Sequence, residues 1–209
     1  IDLNERSNQP LKSNNGKYII LFNGEIYNFR LLKKKIETEK NFSNWKTESD
    51  TEILIEGISL FGLSDFLDLL EGMFAFALYD TIKKKIFLVR DRFGEKPLYY
   101  YHNSKDFIFT SDLRSLKYHP NIKLDISKTS TKEMLKYSFI IGNKTIYKNI
   151  YKLEPATILE FCLKEKKIIK RLFWNKEKIF ENQFDSGNDE NEIIKNLDHL
   201  LFEKIKNSS

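Results

Sequence analysis

A β-rich α+β domain is the architecture this sequence predicts, and three observations carry it. Seventeen Phe and ten Tyr among 209 residues suit the pleated, half-buried surface of strands. Short apolar runs of strand length recur in pairs across polar turns, as at 73–79 and 86–91, which is the pattern of hairpins. Helical spacing of apolar residues enters early, between 29 and 61, so helices are added to sheets that the later hairpins build.

Taken in order, residues 1–17 are polar, with turn signals at Asn8-Gln9-Pro10 and Asn14-Asn15-Gly16. The apolar run YIILF at 18–22 predicts a buried strand that ends in the turn-forming pair Asn23-Gly24. From 29 to about 40, Leu32 and Ile36 among Lys and Glu predict an amphipathic helix. Ser49-Asp50-Thr51-Glu52 fits a capping box ahead of Ile53, Leu54, Ile58 and Phe61, so a second helix starts there, ends at Gly62 and holds Asp50 in its first turn. A short helix is expected over 64–70. MFAFALY (73–79) and IFLVRD (86–91) then form a hairpin. A charged turn leads to a second hairpin, 97–101 with 107–109, and to a short helix over 111–117 N-capped by Ser111. A helix over 131–139 and a late hairpin, 157–163 with 167–173, complete about eight strands. Residues 176–188 read as a linker, and Ile193, Leu197, Leu200 and Leu201 predict a helix from Asp189 onward.

Composition excludes several classes of function. The net charge of +5 comes from 35 basic and 30 acidic residues, and the Lys are scattered or gathered at turns such as Lys83-Lys84-Lys85. A nucleic-acid surface groups its basic residues on one element, interleaved with aromatics, so no nucleic-acid partner is expected. No run of ~18 apolar residues predicts a membrane span, and IDLNERSNQP has neither the basic nor the apolar region of a signal peptide. The single cysteine, Cys162, excludes an internal disulfide and a cysteine zinc cluster; no metal site is expected, and the cytoplasm is the expected compartment. The sequence begins with Ile and stops inside a polar helical pattern, which is the look of a fragment.

Chemistry concentrates at residues 23–25. Asn23 offers a side-chain NH₂, and Gly24, lacking Cβ, can bring its backbone N–H close to a ligand. Two donors aimed at one oxygen make an oxyanion hole; the competing reading is a plain Asn-Gly hairpin turn. Asp50 is open in the same way, as a helix-start residue or as a binding carboxylate. For Arg90-Asp91-Arg92 the readings are a site wall or domain contact, and an ion-paired turn in which Asp91 bridges backbone and Arg. Cys162 lies in a strand and reads as a small buried hydrophobe. His102, His119 and His199 fall in turns or a polar helix.

Six stretches together resemble the N-terminal half of the glutamine-dependent asparagine synthetases, a class II glutamine amidotransferase domain. They are NQPL (8–11), NGEIYNFRLL (23–32), SDTEILIEG (49–57), LEGMFAFALYD (70–80), VRDRFGEKPLYYY (89–101) and FTSDLRSL (109–116). They span most of the chain in order. The resemblance implies an N-terminal-nucleophile αββα sandwich of two antiparallel sheets with flanking helices. It implies that glutamine is hydrolysed to glutamate and ammonia, for amidation of a carboxylate activated with Mg-ATP in a C-terminal domain. The acceptor would be aspartate, giving asparagine; relatives that amidate a sugar acid or other carboxylate, or a non-catalytic remnant packing on a synthetase partner, are the alternatives. It divides the chain into an incomplete glutaminase domain (1–175) and a linker with the first helix of a synthetase domain (176–209), and it is compatible with a homodimer.

By the same resemblance Asn23 and Gly24 match the oxyanion pair, and Glu25 and Asp50 the groups that hold the amino-acid end of glutamine. Ile1 falls at the end of a further glutamine-binding segment. The nucleophile would be an N-terminal Cys upstream of Ile1, whose own α-amine is the base; Cys162, which has no free amine, cannot replace it. The 209 residues alone are therefore expected to be inactive. No SGG-x-DS loop for ATP occurs in them, so no cofactor is expected here.

Overall fold

The computed structural model describes residues 7–175, 177 and 190–207. Among them nine strands form two antiparallel sheets. The larger runs β1 (Leu11–Lys12), β2 (Tyr18–Ile26), β3 (Gly72–Asp80), β4 (Lys85–Arg90), β8 (Thr157–Cys162) and β9 (Lys167–Leu172) in the order β1-β2-β3-β4-β8-β9. The smaller has β5 (Tyr99–His102) between β6 (Phe107–Thr110) and β7 (Ile150–Lys152).

Side chains alternate across a strand, and that alternation sorts the large sheet into two buried faces. Tyr18, Ile20, Ile26, Phe74, Phe76, Leu78, Val89 and Ile158 share one core with the early helices. These are α1 (Phe29–Lys40), which contributes Leu32 and Ile36, α2 (Asp50–Phe61) and α3 (Leu63–Leu69). The other face, with Ala75, Ala77, Leu88, Leu159 and Phe161, packs on Leu98, Tyr100 and Leu153, so the two sheets meet there. A 3-10 helix (Leu113–Tyr118) follows β6, and α4 (Lys128–Tyr137) is tied to the segment before β7 by the Glu133–Lys144 ion pair. A final helix, α5 (Glu190–Asn207), ends the described residues, and none of the helices is long and apolar enough to cross a membrane.

Buried carboxylates fix the turns. Asp80 Oδ1 accepts from the N–H groups of Ile82 (3.0 Å) and Lys83 (2.8 Å), closing the β3–β4 turn. Asp91, 1% exposed, accepts from Phe93, Glu95 and Lys96 N–H, each at 3.0 Å, and from Phe74 N–H at 3.3 Å. Arg90 donates to the main-chain carbonyls of Lys96, Leu153 and Gly94, and Arg92 to those of Leu70 and Asp68. The turn is thus ordered by carbonyls and amides, and not by the carboxylate–guanidinium pair expected from the sequence.

Several boundaries differ from the sequence reading. The strand begun at Tyr18 does not stop at Phe22: it runs through Asn23-Gly24-Glu25 to Ile26, because Gly72–Asp80 pairs with all nine of its residues. Asn23-Gly24 is therefore no hairpin turn. The helix at 111–117 is a 3-10 helix capped by Asp112, whose Oδ1 accepts from Arg114 N–H at 2.9 Å, because a carboxylate one residue later outcompetes Ser111. Ser127 caps α4 and starts it at Lys128, earlier than apolar spacing indicates. His102 closes strand β5 instead of a turn. The predicted linker at 176–188 lies, Glu177 apart, outside the described residues.

Candidate active site

Asn23 pairs with Ala75, and Leu21 with Ala77, across β2 and β3. Both alanines belong to the core between the sheets, so these pairs sit on the face turned toward the smaller sheet. Two methyl-sized side chains opposite Leu21 and Asn23 leave space that larger residues would fill. The result is a cleft of about 280 Å³ whose walls include Gln9, Asn23, Ala75, Leu98 and Thr110. Asn23 is exposed, and its amide makes no hydrogen bond among the described residues.

Backbone polarity places the second donor. In an antiparallel strand successive residues turn their N–H and C=O to opposite sides. Tyr18 C=O accepts from Ser13 N–H, away from β3, whereas Tyr27 N–H donates to Glu71 C=O on the β3 side. Even-numbered residues of β2 therefore face its outer edge. Phe22 is engaged there by the Gln9 amide: Phe22 N–H donates to Gln9 Oε1 at 2.6 Å and Gln9 Nε2 donates to Phe22 C=O at 3.0 Å. Ile26 N–H donates to Asp50 Oδ2 at 3.0 Å. Gly24 lies between, its N–H open on that edge among the described residues.

Gly24 is dictated by its neighbour strand. A Cβ there would lie 2.2 Å from Met73 O and 2.7 Å from Phe74 Cα, inside van der Waals contact. Asp91 holds the same stretch from behind, through Phe74 N–H at 3.3 Å and by donating its own N–H to Phe74 C=O at 2.8 Å.

Helix α2 presents Asp50 because Ser49 caps it, Ser49 Oγ accepting from Glu52 N–H at 3.2 Å. The reciprocal half of the expected box is replaced: Ser49 N–H donates to Thr47 Oγ1, and the buried Glu52 carboxylate takes Thr47 N–H at 2.7 Å and Lys46 N–H at 2.9 Å. Asp50, the first helical residue, has Oδ2 on Ile26 N–H, while Oδ1 accepts a longer bond from the Thr51 hydroxyl at 3.4 Å. Glu25 shares the face of Asn23 and is exposed. Burial raises the Tyr27 phenol pKa, and the carboxylates of Glu95, Glu25 and Asp91 push it further, so this end of the strand carries converging negative charge.

The structure therefore brings Asn23, Gly24, Glu25 and Asp50 to one end of one strand. It leaves Cys162 elsewhere. Cys162 pairs with Lys85 on β4, five residues from Arg90, the residue that pairs with Ala75 beside Asn23; the strand rise alone separates the two levels by ~17 Å, before the strands between them are counted. Its side chain is half-buried, less enclosed than expected. His102 packs its ring on Phe161, and no histidine borders the cleft. Gln9 and the two alanines escaped the sequence reading. Gln9 lies in the quoted NQPL stretch, but only the fold reveals what its amide holds.

Residues 1–174 match the glutamine amidotransferase domain family. The chain is 32% identical over 222 residues to a protein named putative asparagine synthetase [glutamine-hydrolyzing] 2 of Methanocaldococcus jannaschii, covering 99% of this chain and 41% of that protein. It is 33% identical over 177 residues to asparagine synthetase [glutamine-hydrolyzing] 3 of Bacillus subtilis, covering 82% of this chain and 27% of that one. The chain thus spans less than half the length of these relatives. Among solved structures, glutamine phosphoribosylpyrophosphate amidotransferase from B. subtilis superposes with a TM-score of 0.53 at 20% identity, over 79% of this chain and 32% of that chain. At that identity the likeness speaks for the fold, which is the N-terminal-nucleophile amidotransferase type.

Proposed function

The chain belongs to the glutamine amidotransferase domain family, and from that premise we propose that it is the glutaminase part of an asparagine-synthetase-like enzyme. In this reading Asn23 Nδ2 and Gly24 N–H donate to the oxygen of the glutamine amide as attack turns it into an oxyanion. Asp50 and Glu25 hold the α-ammonium. The released ammonia amidates a carboxylate, aspartate in the first instance, since two relatives matched over most of this chain are named asparagine synthetases.

One observation carries this reading: the spacing, along a single strand edge, of an open N–H and an anchored carboxylate. Gly24 N–H and the Ile26 N–H that anchors Asp50 are two residues apart on the same edge, ~7 Å by strand rise. Glutamine in extended form spans about 6 Å from its amide oxygen to its α-nitrogen by ordinary bond lengths. A donor at one end and a carboxylate at the other fit that length and its polarity. Donors already fixed where negative charge develops stabilise the transition state without reorganisation.

The attacking thiolate is assigned to an N-terminal Cys outside this sequence, with its α-amine as the base. Incubated with glutamine, the 209-residue polypeptide should release no glutamate, because its one thiol stands far from Asn23 and Gly24. Turnover that a thiol-blocking reagent abolishes would contradict this. Mg-ATP, which the resemblance assigns to a synthetase domain, finds no SGG-x-DS loop here, and no step of glutamine hydrolysis runs through it.

Asp50→Asn separates binding from capping. Asn can still accept from Ile26 N–H but offers an ammonium no charge. In a form of the chain that carries the nucleophile, KM for glutamine should rise about tenfold or more, the worth of one charge-assisted hydrogen bond, with kcat changed less. An unchanged KM would reduce Asp50 to a helix-start residue.

A further inference from the structure

Among the described residues, no strand covers the outer edge of β2 where the proposed oxyanion donors lie. Strand β1 pairs only as far as Ile20, through Leu11. Gln9 fills the next place with its side chain: Oε1 takes Phe22 N–H at 2.6 Å and Nε2 reaches Phe22 C=O at 3.0 Å. That is the pair of bonds a partner residue in an antiparallel ladder would make. We infer that Gln9 is a positioning residue for glutamine hydrolysis, its amide acting as a strand partner to Phe22 so that Asn23 and Gly24 keep their aim. The inference rests on the oxyanion role proposed above and adds to it what holds that pair.

Three features favour positioning over simple edge protection. Phe22 immediately precedes the two donors, so its peptide plane sets the direction from which Asn23 leaves the strand. Gln9 itself borders the cleft that Asn23 faces. Asp50 fastens the other side of Gly24 at Ile26, so that the Gln9 amide and the Asp50 carboxylate bracket one open N–H. Gln9 is exposed, and ordering a long exposed side chain costs rotamer freedom. Two hydrogen bonds to one residue, on the peptide units either side of Phe22 Cα, use that ordering to fix a direction, with little burial to show for it.

The test uses a form of the chain that carries the nucleophile, with glutamate release measured for the parent, Gln9→Ala, Gln9→Glu and Asn23→Ala, alongside thermal melting. Gln9→Ala should lower kcat about tenfold, the cost of slight misplacement of reacting groups, with KM within about twofold and the melting midpoint nearly unmoved. Gln9→Glu is the discriminating variant. Ionised, it repels Phe22 C=O; protonated, its O–H donates to Phe22 C=O and its C=O accepts from Phe22 N–H, restoring both bonds. With an ordinary Glu pKa near 4.3, its kcat relative to the parent at the same pH should rise about twofold or more from pH 7.5 to pH 5.0. Gln9→Ala should show no such recovery.

If the parent hydrolyses glutamine and Asn23→Ala loses it, but Gln9→Ala keeps full kcat, the positioning role is overturned and the oxyanion assignment stands. It is also overturned if the Gln9→Glu ratio is flat with pH, which is how a purely structural contact behaves. A parent that releases no glutamate, or an Asn23→Ala variant as active as the parent, overturns the proposed function itself.

Discussion

Asn23→Ala, in a form of the chain that carries the nucleophilic cysteine, lowers kcat for glutamine hydrolysis by ~10²–10³ and leaves folding intact. The magnitude follows from what the side chain does and does not touch. Its amide is exposed and has no hydrogen-bond partner among the described residues, so removing it strands no buried group. Surface changes of that kind usually alter stability by less than about 0.5 kcal/mol. On the proposed oxyanion role its contribution is expressed only when the oxyanion forms beside it, so kcat should fall while KM moves little. Gly24 N–H remains, and a residual rate with it. In a full-length protein that includes the proposed synthetase domain, ammonia supplied directly should still support synthesis, because the step expected to be lost is the release of ammonia. Equal loss of glutamine-dependent and ammonia-dependent activity would make Asn23 a structural residue.

Asp91→Ala is expected to destabilise the domain by ~3–5 kcal/mol in urea titration, through the donors it leaves behind. One buried carboxylate accepts four backbone N–H groups, those of Phe74, Phe93, Glu95 and Lys96. Each unsatisfied buried donor costs about 1–3 kcal/mol, and the four share one site, so their costs do not add fully. For a chain of this size the melting midpoint should fall by roughly 10 °C. Asp91→Asn should be nearly as severe, since its NH₂ would meet N–H groups that need an acceptor. A loss under about 1 kcal/mol for Asp91→Ala would mean that the turn is held by Arg90 and its carbonyls alone. The effect reaches the cleft as well as the turn, for Phe74 is the residue that faces Gly24 across the ladder.

The layers were largely legible in the residues. Apolar runs of strand length at 18–22 and 73–79 marked strands with a buried face, and Ser49 with Glu52 marked the start of α2, whose first residue is Asp50. What periodicity could not reveal was continuation. Asn and Gly are turn formers in isolation, so the local signal at Asn23-Gly24 favours a reversal. The strand continues because nine residues of β3 offer partners from far along the chain, and because a residue without Cβ lets Met73 C=O approach. The same holds for the cleft. Ala75 and Ala77 read as unremarkable apolar residues until the register sets them opposite Asn23 and Leu21. Gln9 is a polar residue before a proline until the fold brings it to Phe22, thirteen residues on. Side-chain substitutes for strand partners leave no period in a sequence, because their contacts depend on tertiary placement.

The charged turn shows the opposite limit. Arg90-Asp91-Arg92 invites an ion pair by composition, yet each charge is spent on the main chain: Asp91 on amides, Arg90 and Arg92 on carbonyls. A tight turn exposes more backbone groups than its side chains can ignore, and the ion pair loses to them.

The most direct measurement is a structure of the nucleophile-bearing chain with its catalytic Cys replaced by Ala and glutamine bound. The account predicts the glutamine amide oxygen ~2.7–3.1 Å from both Asn23 Nδ2 and Gly24 N, with the α-ammonium on the Asp50 carboxylate. Glutamine bound with that oxygen turned to solvent, or to any pair of donors other than these, contradicts it.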